Sequence, residues 1–145
     1  NYDSATNTAT ITGDTITPVT AQETVAAQVT PVLSIAKAVA PVPVAENGRL
    51  TYTFDIQNTG NAPVTAADAA IISDAFAPIL RDLTVTYNGA AWAQGTDYTY
   101  DAAGNFATVA GKLLVPAAAY TQDAQTGAWI VTPSTSTLTV SGTIA

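Results

Sequence analysis

Lys37, Asp74 and Asn7 are polar residues that each stand on an otherwise apolar face of a predicted strand. In a strand, alternate residues point to the same side of the sheet. The apolar residues that share a side with them are Leu33, Ile35 and Val39 for the lysine, Ile72 and Phe76 for the aspartate, and Ala5, Ala9 and Ile11 for the asparagine. Because an unpaired ammonium or carboxylate is costly to bury, we predict that the three side chains meet in one core.

A lysine, a carboxylic acid and an asparagine in an apolar site can form an amide cross-link. Burial disfavours the charged forms of the amine and the acid, which leaves a neutral amine as nucleophile and a protonated acid. The acid hydrogen-bonds the asparagine carbonyl and stabilises the charge that develops on its oxygen. The amine displaces ammonia, so the product is a Lys37–Asn7 amide. This is a single self-directed event, and no enzyme is predicted.

The same residues also fit a polar cluster that does not react. A buried Lys37–Asp74 ion pair with Asn7 as hydrogen-bond partner needs no covalent bond. An error in the assigned strand faces would separate the three side chains altogether. Asp55 is a rival acid, but the alternation of Tyr52, Phe54 and Ile56 on the inner face turns it outward.

The elements that must position these residues are strands, since the apolar pattern has a period of two along most of the chain. Residues 88–89 (Asn-Gly) give the strongest short-range signal for a β-hairpin, and residues 103–105 (Ala-Gly-Asn) mark another. No segment has a convincing helical period. Seven or more short strands with regular turns predict an all-β fold, an immunoglobulin-like antiparallel β-sandwich with an N-terminal strand extension.

The chain divides into three segments that differ in residue pattern and in predicted structure. Residues 1–13 form a donor-type strand, one able to complete another sheet, and its core-facing residues are Ala5, Asn7, Ala9 and Ile11. Residues 14–32 are polar, with Pro18 and Pro31 near the ends, and are predicted to be an extended linker or a loosely docked strand. Residues 33–145 carry the strand and turn pattern of the β-sandwich domain.

Composition excludes several kinds of partner. The formal net charge is −7 with four basic residues, which argues against nucleic acid and anionic membranes. The absence of Cys and His removes disulfides, the usual soft-metal ligands and the usual general base. No apolar run is long enough to span a bilayer. An acidic chain without oxidisable sulfur suits an extracellular location at the cell surface.

Two further groups of residues have mainly structural interpretations. Residues 101–105 and 123–127 contain oxygen ligands of the kind that Ca²⁺ prefers, but neither has a full ligand loop and both are typical of turns. Five aromatic residues could stack on a sugar, although core or edge packing is their commoner role: Trp92, Tyr98, Tyr100, Tyr120 and Trp129. We predict no metal, no cofactor and no small-molecule substrate.

A series of motifs between residues 33 and 144 carries a family resemblance. In chain order they are Lys37, the turn at Gly48, Tyr52-Thr-Phe54, Asn58-Thr-Gly-Asn61, Asp74 before Phe76 and Pro78, and the closing TLTVSGTI at 137–144. On these motifs the chain resembles the Ig-like conserved repeat domain of bacterial cell-surface proteins, domain of unknown function eleven. The convergence of Lys37, Asp74 and Asn7 is similar to the isopeptide cross-links of Gram-positive adhesins and pilins.

The resemblance implies a strand beyond the closing one. In that family a further strand with an Asn-x-Ala-x-Val/Ile pattern usually follows, and here the pattern occurs at the front of the chain, as Asn7-Thr-Ala9-Thr-Ile11. The sandwich is therefore expected to present an open sheet edge that needs a cover. The strand at 1–13 can fold back onto its own sandwich or enter that of a neighbouring copy, which is donor-strand complementation.

These observations predict a structural subunit of an extracellular surface filament or pilus. Its partners are copies of itself, added head-to-tail, and a Lys–Asn isopeptide bond locks each junction. Two alternatives stay open: a stalk repeat excised from a large bacterial surface adhesin, and a module that binds carbohydrate or a host protein.

Overall fold

The computed structural model describes residues 4–26 and 29–145, which form an all-β structure. The strands are β1 (Ser4–Gly13), β2 (Ile16–Ala26), β3 (Leu33–Ala40), β4 (Arg49–Asn58), β5 (Ser73–Ala75), β6 (Leu80–Tyr87), β7 (Ala90–Trp92), β8 (Tyr98–Tyr100), β9 (Asn105–Thr108), β10 (Ala119–Gln122), β11 (Trp129–Thr132) and β12 (Ser134–Ile144). The sole helical segment of these residues is a single 3₁₀ turn, Ala66–Asp68. The chain forms two compact units, Asn1–Thr30 and Pro31–Ala145.

The smaller unit contains an antiparallel hairpin of β1 and β2. Its register runs from Ser4 opposite Ala26 to Ile11 opposite Val19 and shifts before the turn. The predicted strand is thus present from Ser4 onward, and the first three residues lie outside the described part. The structure differs from the prediction of an extended linker at 14–32, because residues 16–26 are a strand. The β-branched residues of that segment favour a strand, and Asp14-Thr15 supplies the turn.

The larger unit contains two sheets and a separate hairpin. The five-stranded sheet has the order β3-β4-β12-β6-β7, and the three-stranded sheet has the order β5-β9-β8. β10 and β11 form the hairpin. All neighbouring strands are antiparallel, which confirms the predicted all-β, antiparallel class.

The two sheets share one hydrophobic core. Its buried residues come from both sheets and the loops between them: Leu50, Tyr52, Phe54, Ile56, Val64, Ile72, Phe76, Leu80, Val85, Tyr87, Tyr98, Phe106, Leu113, Val115, Leu138 and Val140. The rings of Tyr52 and Phe76 stack across the sheets with centroids 4.6 Å apart. Asp55 is exposed and accepts a hydrogen bond from the Thr137 hydroxyl at 2.9 Å. The predicted faces of β4 are therefore confirmed.

Both predicted hairpin turns are present. Tyr87 pairs with Ala90 across Asn88 (φ 47°) and Gly89 (φ 81°), the left-handed pair that a two-residue hairpin turn requires. Gly104 (φ 89°) lies in the β8–β9 turn, where a Cβ atom would stand 2.9 Å from the Phe76 carbonyl oxygen. These turns set the register of the strands that follow them.

Asp101 closes the β8–β9 turn by accepting hydrogen bonds from the Asn105 side chain at 2.9 Å, the Asn105 N–H at 3.0 Å and the Ala103 N–H at 2.9 Å. These bonds, first of all that from the Asn105 side chain, hold the pKa of Asp101 below its ordinary value of 3.8. A lowered folded-state pKa stabilises the fold above the unfolded-state pKa, and this contribution is lost as the pH falls through the folded value.

We therefore expect Asp101→Asn to lose less stability than the parent chain when the pH falls from about 5 to about 2. Denaturant unfolding at a series of pH values measures the slope for both proteins. Parallel curves over the whole range would contradict the expected role of Asp101.

Candidate functional site

Lys37 and Asp74 meet at one edge of the core. Lys37 lies on β3 and Asp74 on β5, so their ion pair, between Nζ and Oδ2, bridges the two sheets. The Lys37 Nζ lies 4.8 Å from the ring centroid of Tyr52, 5.8 Å from that of Phe54 and 5.9 Å from that of Phe76. Two of the three predicted cluster residues are thus in contact. The three aromatic rings near the Lys37 Nζ provide cation–π contacts.

The ion pair lies at a solvent-exposed edge of the core, called the rim below. The Lys37 side chain is 44% exposed and that of Asp74 is 19% exposed. The Oδ2 atom of Asp74 is itself buried, and apart from the ion pair it has no hydrogen-bond partner in the described part of the chain. Solvent therefore reaches the lysine in this arrangement.

An apolar groove of about 210 Å³ runs between the sheets beside the ion pair. Its walls come from β3, from the segment that leads into β5 and from the core behind them: Leu33, Ser34, Ile35, Ile56, Ala70, Ile71, Ile72 and Leu113. All eight residues of β3 are exposed, including Leu33 at 46% and Ile35 at 56%. Exposed apolar side chains in one continuous strip mark a surface that is suited to a partner.

β5 offers a free backbone edge next to this groove. In its sheet it pairs with β9 alone. The carbonyl of Ile72 accepts, and the N–H of Phe76 donates, a hydrogen bond on the β9 side, both at 2.9 Å. Backbone groups alternate in direction along a strand, so those of Ser73 and Ala75 face away from β9. This edge is a template for one more strand.

The β1–β2 hairpin carries an apolar face of its own. Asn7 lies on it opposite Glu23. The other members of that face are the predicted Ala5, Ala9 and Ile11 from β1, with Val19, Ala21 and Val25 from β2. All of these residues are exposed, Ile11 at 64% and Val25 at 68%. A lone two-stranded hairpin is only marginally stable in water, so this face needs a packing partner.

The third predicted cluster residue therefore lies in a different unit from the other two. Asn7 belongs to Asn1–Thr30, whereas Lys37 and Asp74 belong to Pro31–Ala145. The sequence pattern, which favours a linker or a loosely docked strand over residues 14–32, does not predict the pairing of Asn7 with Glu23. The signal that could have found it is the alternation of Val19, Ala21 and Val25 with polar residues.

Asn58 is a fully buried polar residue that ties the larger unit together. Its Oδ1 accepts hydrogen bonds from the N–H groups of Val32 at 3.0 Å and Gly60 at 2.9 Å. Its Nδ2 donates to the carbonyls of Ala62 at 2.8 Å and Pro116 at 2.9 Å. Asn58 thus anchors the start of β3, and with it one wall of the groove. The motif at 58–61 carries part of the family resemblance, and the sequence alone does not predict this anchoring role.

The five aromatic residues considered as a sugar platform do not come together. Trp92 packs on Tyr87 with ring centroids 4.9 Å apart, and Tyr98 packs on Phe106 at 5.4 Å. Tyr100 donates a hydrogen bond to the Leu80 carbonyl at 2.9 Å. The remaining two, Tyr120 and Trp129, lie on the exposed β10–β11 hairpin.

The aspartates in the turns at 101–105 and 123–127 accept hydrogen bonds from the backbone of their own turns and do not converge on one site. Asp123 Oδ1 accepts hydrogen bonds from the N–H groups of Gln125 at 2.8 Å and Thr126 at 2.7 Å. Over residues 4–26 and 29–145, no group of three or more acidic or metal-binding side chains is placed to hold a metal ion. The turn interpretation of both segments agrees with these contacts.

No protein-family model, curated protein or solved structure matches the chain. Within the described ranges, no helix has the length and apolar character needed to cross a membrane. The site is therefore interpreted from its own geometry.

Proposed function

We propose that the chain is a structural subunit of an extracellular filament, assembled head-to-tail by donor-strand complementation. In this proposal Pro31–Ala145 is an immunoglobulin-like acceptor sandwich, and the β1–β2 hairpin of a neighbouring subunit is the donor. The observation that carries the proposal is the Lys37–Asp74 pair at an open apolar groove, combined with an exposed apolar hairpin face on the same chain. The apolar face of the hairpin needs a packing partner, and the apolar groove needs a cover.

Donor and acceptor surfaces on one chain favour an open polymer. They are different surfaces, so the contact is heterologous and each added subunit presents a new free end. The strand-on-edge contact provides backbone hydrogen bonds, while the groove selects side chains. The net charge of −7 keeps free subunits apart until these surfaces meet.

Docking also supplies the conditions for a covalent lock. The hairpin would cover the rim and exclude water from Lys37, which favours its neutral amine. The Nζ–Cγ bond to Asn7 forms and the Cγ–Nδ2 bond of Asn7 breaks. Of the two protons that the lysine ammonium gives up, one passes to the Asp74 carboxylate and the other completes the ammonia that leaves. Asp74, protonated in the covered site, hydrogen-bonds the Asn7 carbonyl oxygen as charge develops on it.

Electron microscopy of the purified full chain tests the assembly, with filaments as the expected result. We expect Ile11→Asp to abolish filaments, because it places a charge on the apolar face of the hairpin. Thr10→Asp is the matched control, since it adds the same charge one residue away on the opposite face and should leave filaments intact. Equal effects of the two substitutions would contradict donation by this face.

Two other outcomes would favour the alternatives. A monodisperse monomer would support a stalk repeat of an adhesin, in which neighbouring repeats of one chain complete each other. A monomer with glycan affinity that Trp129→Ala removes would support a binding module, since Trp129 is 59% exposed.

A further inference from the structure

The geometry points to one register for the donor hairpin, an inference that rests on the proposed assembly and deepens it. β1 of a second copy lies antiparallel to β5, with Asn7 opposite Asp74, Ala9 opposite Ile72 and Ala5 opposite Phe76. In this register the three-stranded sheet grows by two strands, and the order becomes β2-β1-β5-β9-β8 across two subunits.

The direction of the acceptor walls follows from three contacts. The groove places Leu33 and Ile35 beside Ala70–Ile72. Lys37 meets Asp74. Farther along, Tyr52 is the cross-strand partner of Val39, and its ring stacks on Phe76. β3 and the segment from Ala70 to Phe76 therefore run in the same direction along the two walls.

The distribution of side chains on β1 selects the antiparallel direction. With Asn7 at the ion pair, an antiparallel β1 places Ile11 four residues along, at the level of Leu33 and Ala70, inside the apolar groove. A parallel β1 would place Ala5 in the groove at the level of Ile72 and carry Ile11 to the other end, beyond Phe76. Ile11 is the one large apolar residue on this face of β1, so only the antiparallel arrangement fills the groove.

The free backbone groups of the two edges also match. The hydroxyls of Thr6 and Thr24 lie 2.9 Å apart across the hairpin, the close approach typical of a pair without ladder hydrogen bonds. The backbone groups of Thr6 and of Thr8, two residues on, then point away from β2. In the proposed register these residues face Ala75 and Ser73, whose backbone groups point away from β9.

The length of the connecting segment assigns the hairpin to a second copy. With Glu23 level with Asn7 and Lys37, β2 runs along β3 and ends at Ala26, level with Ala40. From there to Leu33 the distance is about 23 Å. The seven peptide steps from Ala26 to Leu33 reach about 23–25 Å when fully extended, which leaves no residue to reverse the chain.

Engineered disulfides test this register, and the natural chain has no cysteine to interfere. The test pair is Thr6→Cys with Ala75→Cys, and the matched control is Thr10→Cys with Ala75→Cys. Both are made in the Asn7→Ala background, which removes the proposed covalent lock. Thr10 would lie about 13 Å from Ala75, beyond the reach of a disulfide.

We expect filaments of the test pair to give a ladder on non-reducing SDS gels that reductant collapses, with on the order of tenfold less cross-linking in the control. Filaments that show equal cross-linking in both variants would overturn the register and leave the assembly intact. A disulfide-closed monomer would overturn the second copy as occupant. If the parent chain forms no filaments, it is the proposed function that fails.

Discussion

Replacement of Asn58 by Ala is expected to lower the free energy of unfolding of the larger unit by about 3–5 kcal/mol. The side chain is fully buried and makes four hydrogen bonds to backbone groups. Its removal leaves two N–H groups and two carbonyls without that partner, two of the four bonds being buried outright. An unsatisfied buried polar group costs about 1–3 kcal/mol. The total for the four groups is lower than four full costs, because part of the site is open to solvent.

The matched control for this substitution is Gln57→Ala. Gln57 is the neighbouring residue on β4, carries the same amide group and points to solvent. We expect a change within about 0.5 kcal/mol for Gln57→Ala. Urea unfolding followed by tryptophan fluorescence measures both variants, and comparable midpoints for the two would rule out the anchoring role of Asn58.

Loss of Asn58 should also affect the groove. The Val32 N–H bonds Asn58 immediately before β3 begins, so this contact sets where Leu33 and Ile35 stand. β3 is an edge strand with every residue exposed, and in its sheet it pairs with β4 alone. We infer that Asn58 joins the stability of the larger unit to the shape of the groove beside β3.

The period-two pattern predicted the parts of the fold that depend on burial. Tyr52, Phe54 and Ile56 lie inside and Asp55 outside because β4, between β3 and β12 in its sheet, has one face on the core and the other in solvent. The hairpin at Asn88 could be predicted because the turn requires positive φ, and Asn-Gly provides it at low cost.

The sequence predicted the Lys37–Asp74 contact less completely. Alternation placed both residues on inner faces, and they do meet. It could not predict that the Lys37 side chain would be 44% exposed, because burial at an edge depends on which strand covers that edge. The covering strand in the proposal comes from another molecule, and its presence is not encoded in the pattern of β3.

The pairing of β2 with β1 was missed for a different reason. Strand pairing in a hairpin depends on the turn, and residues 13–16 (Gly-Asp-Thr-Ile) lack the Asn-Gly or Asp-Gly order that marks the commonest two-residue turns. The polar residues of β2 make its sequence resemble that of a linker, because the described side chains on both faces of the strand are exposed. A strand that packs only on a partner gives a weak signal in its own sequence.

Lys37→Arg is expected to leave filaments intact but to make them dissolve in hot SDS, whereas parent filaments leave a ladder of covalent multimers. Arginine keeps the positive charge and the ion pair with Asp74, but its guanidinium stays protonated and is no nucleophile. Asn7→Ala should give the same dissolution by removing the carbonyl that the amine attacks. Thr8→Ala, beside Asn7 but on the other face of β1, is the control that should retain the ladder.

Mass spectrometry of the same samples gives the chemistry of the lock. Each covalent junction should lower the summed subunit mass by that of one ammonia molecule, and tandem spectra should join the peptides that contain Lys37 and Asn7. Parent multimers with unchanged mass, or a ladder that persists in Lys37→Arg, would refute the isopeptide bond. Filaments that dissolve without any mass change would mean that the Lys37–Asp74 pair and Asn7 act as a non-covalent clamp. Backbone hydrogen bonds along β5 would then hold the subunits together.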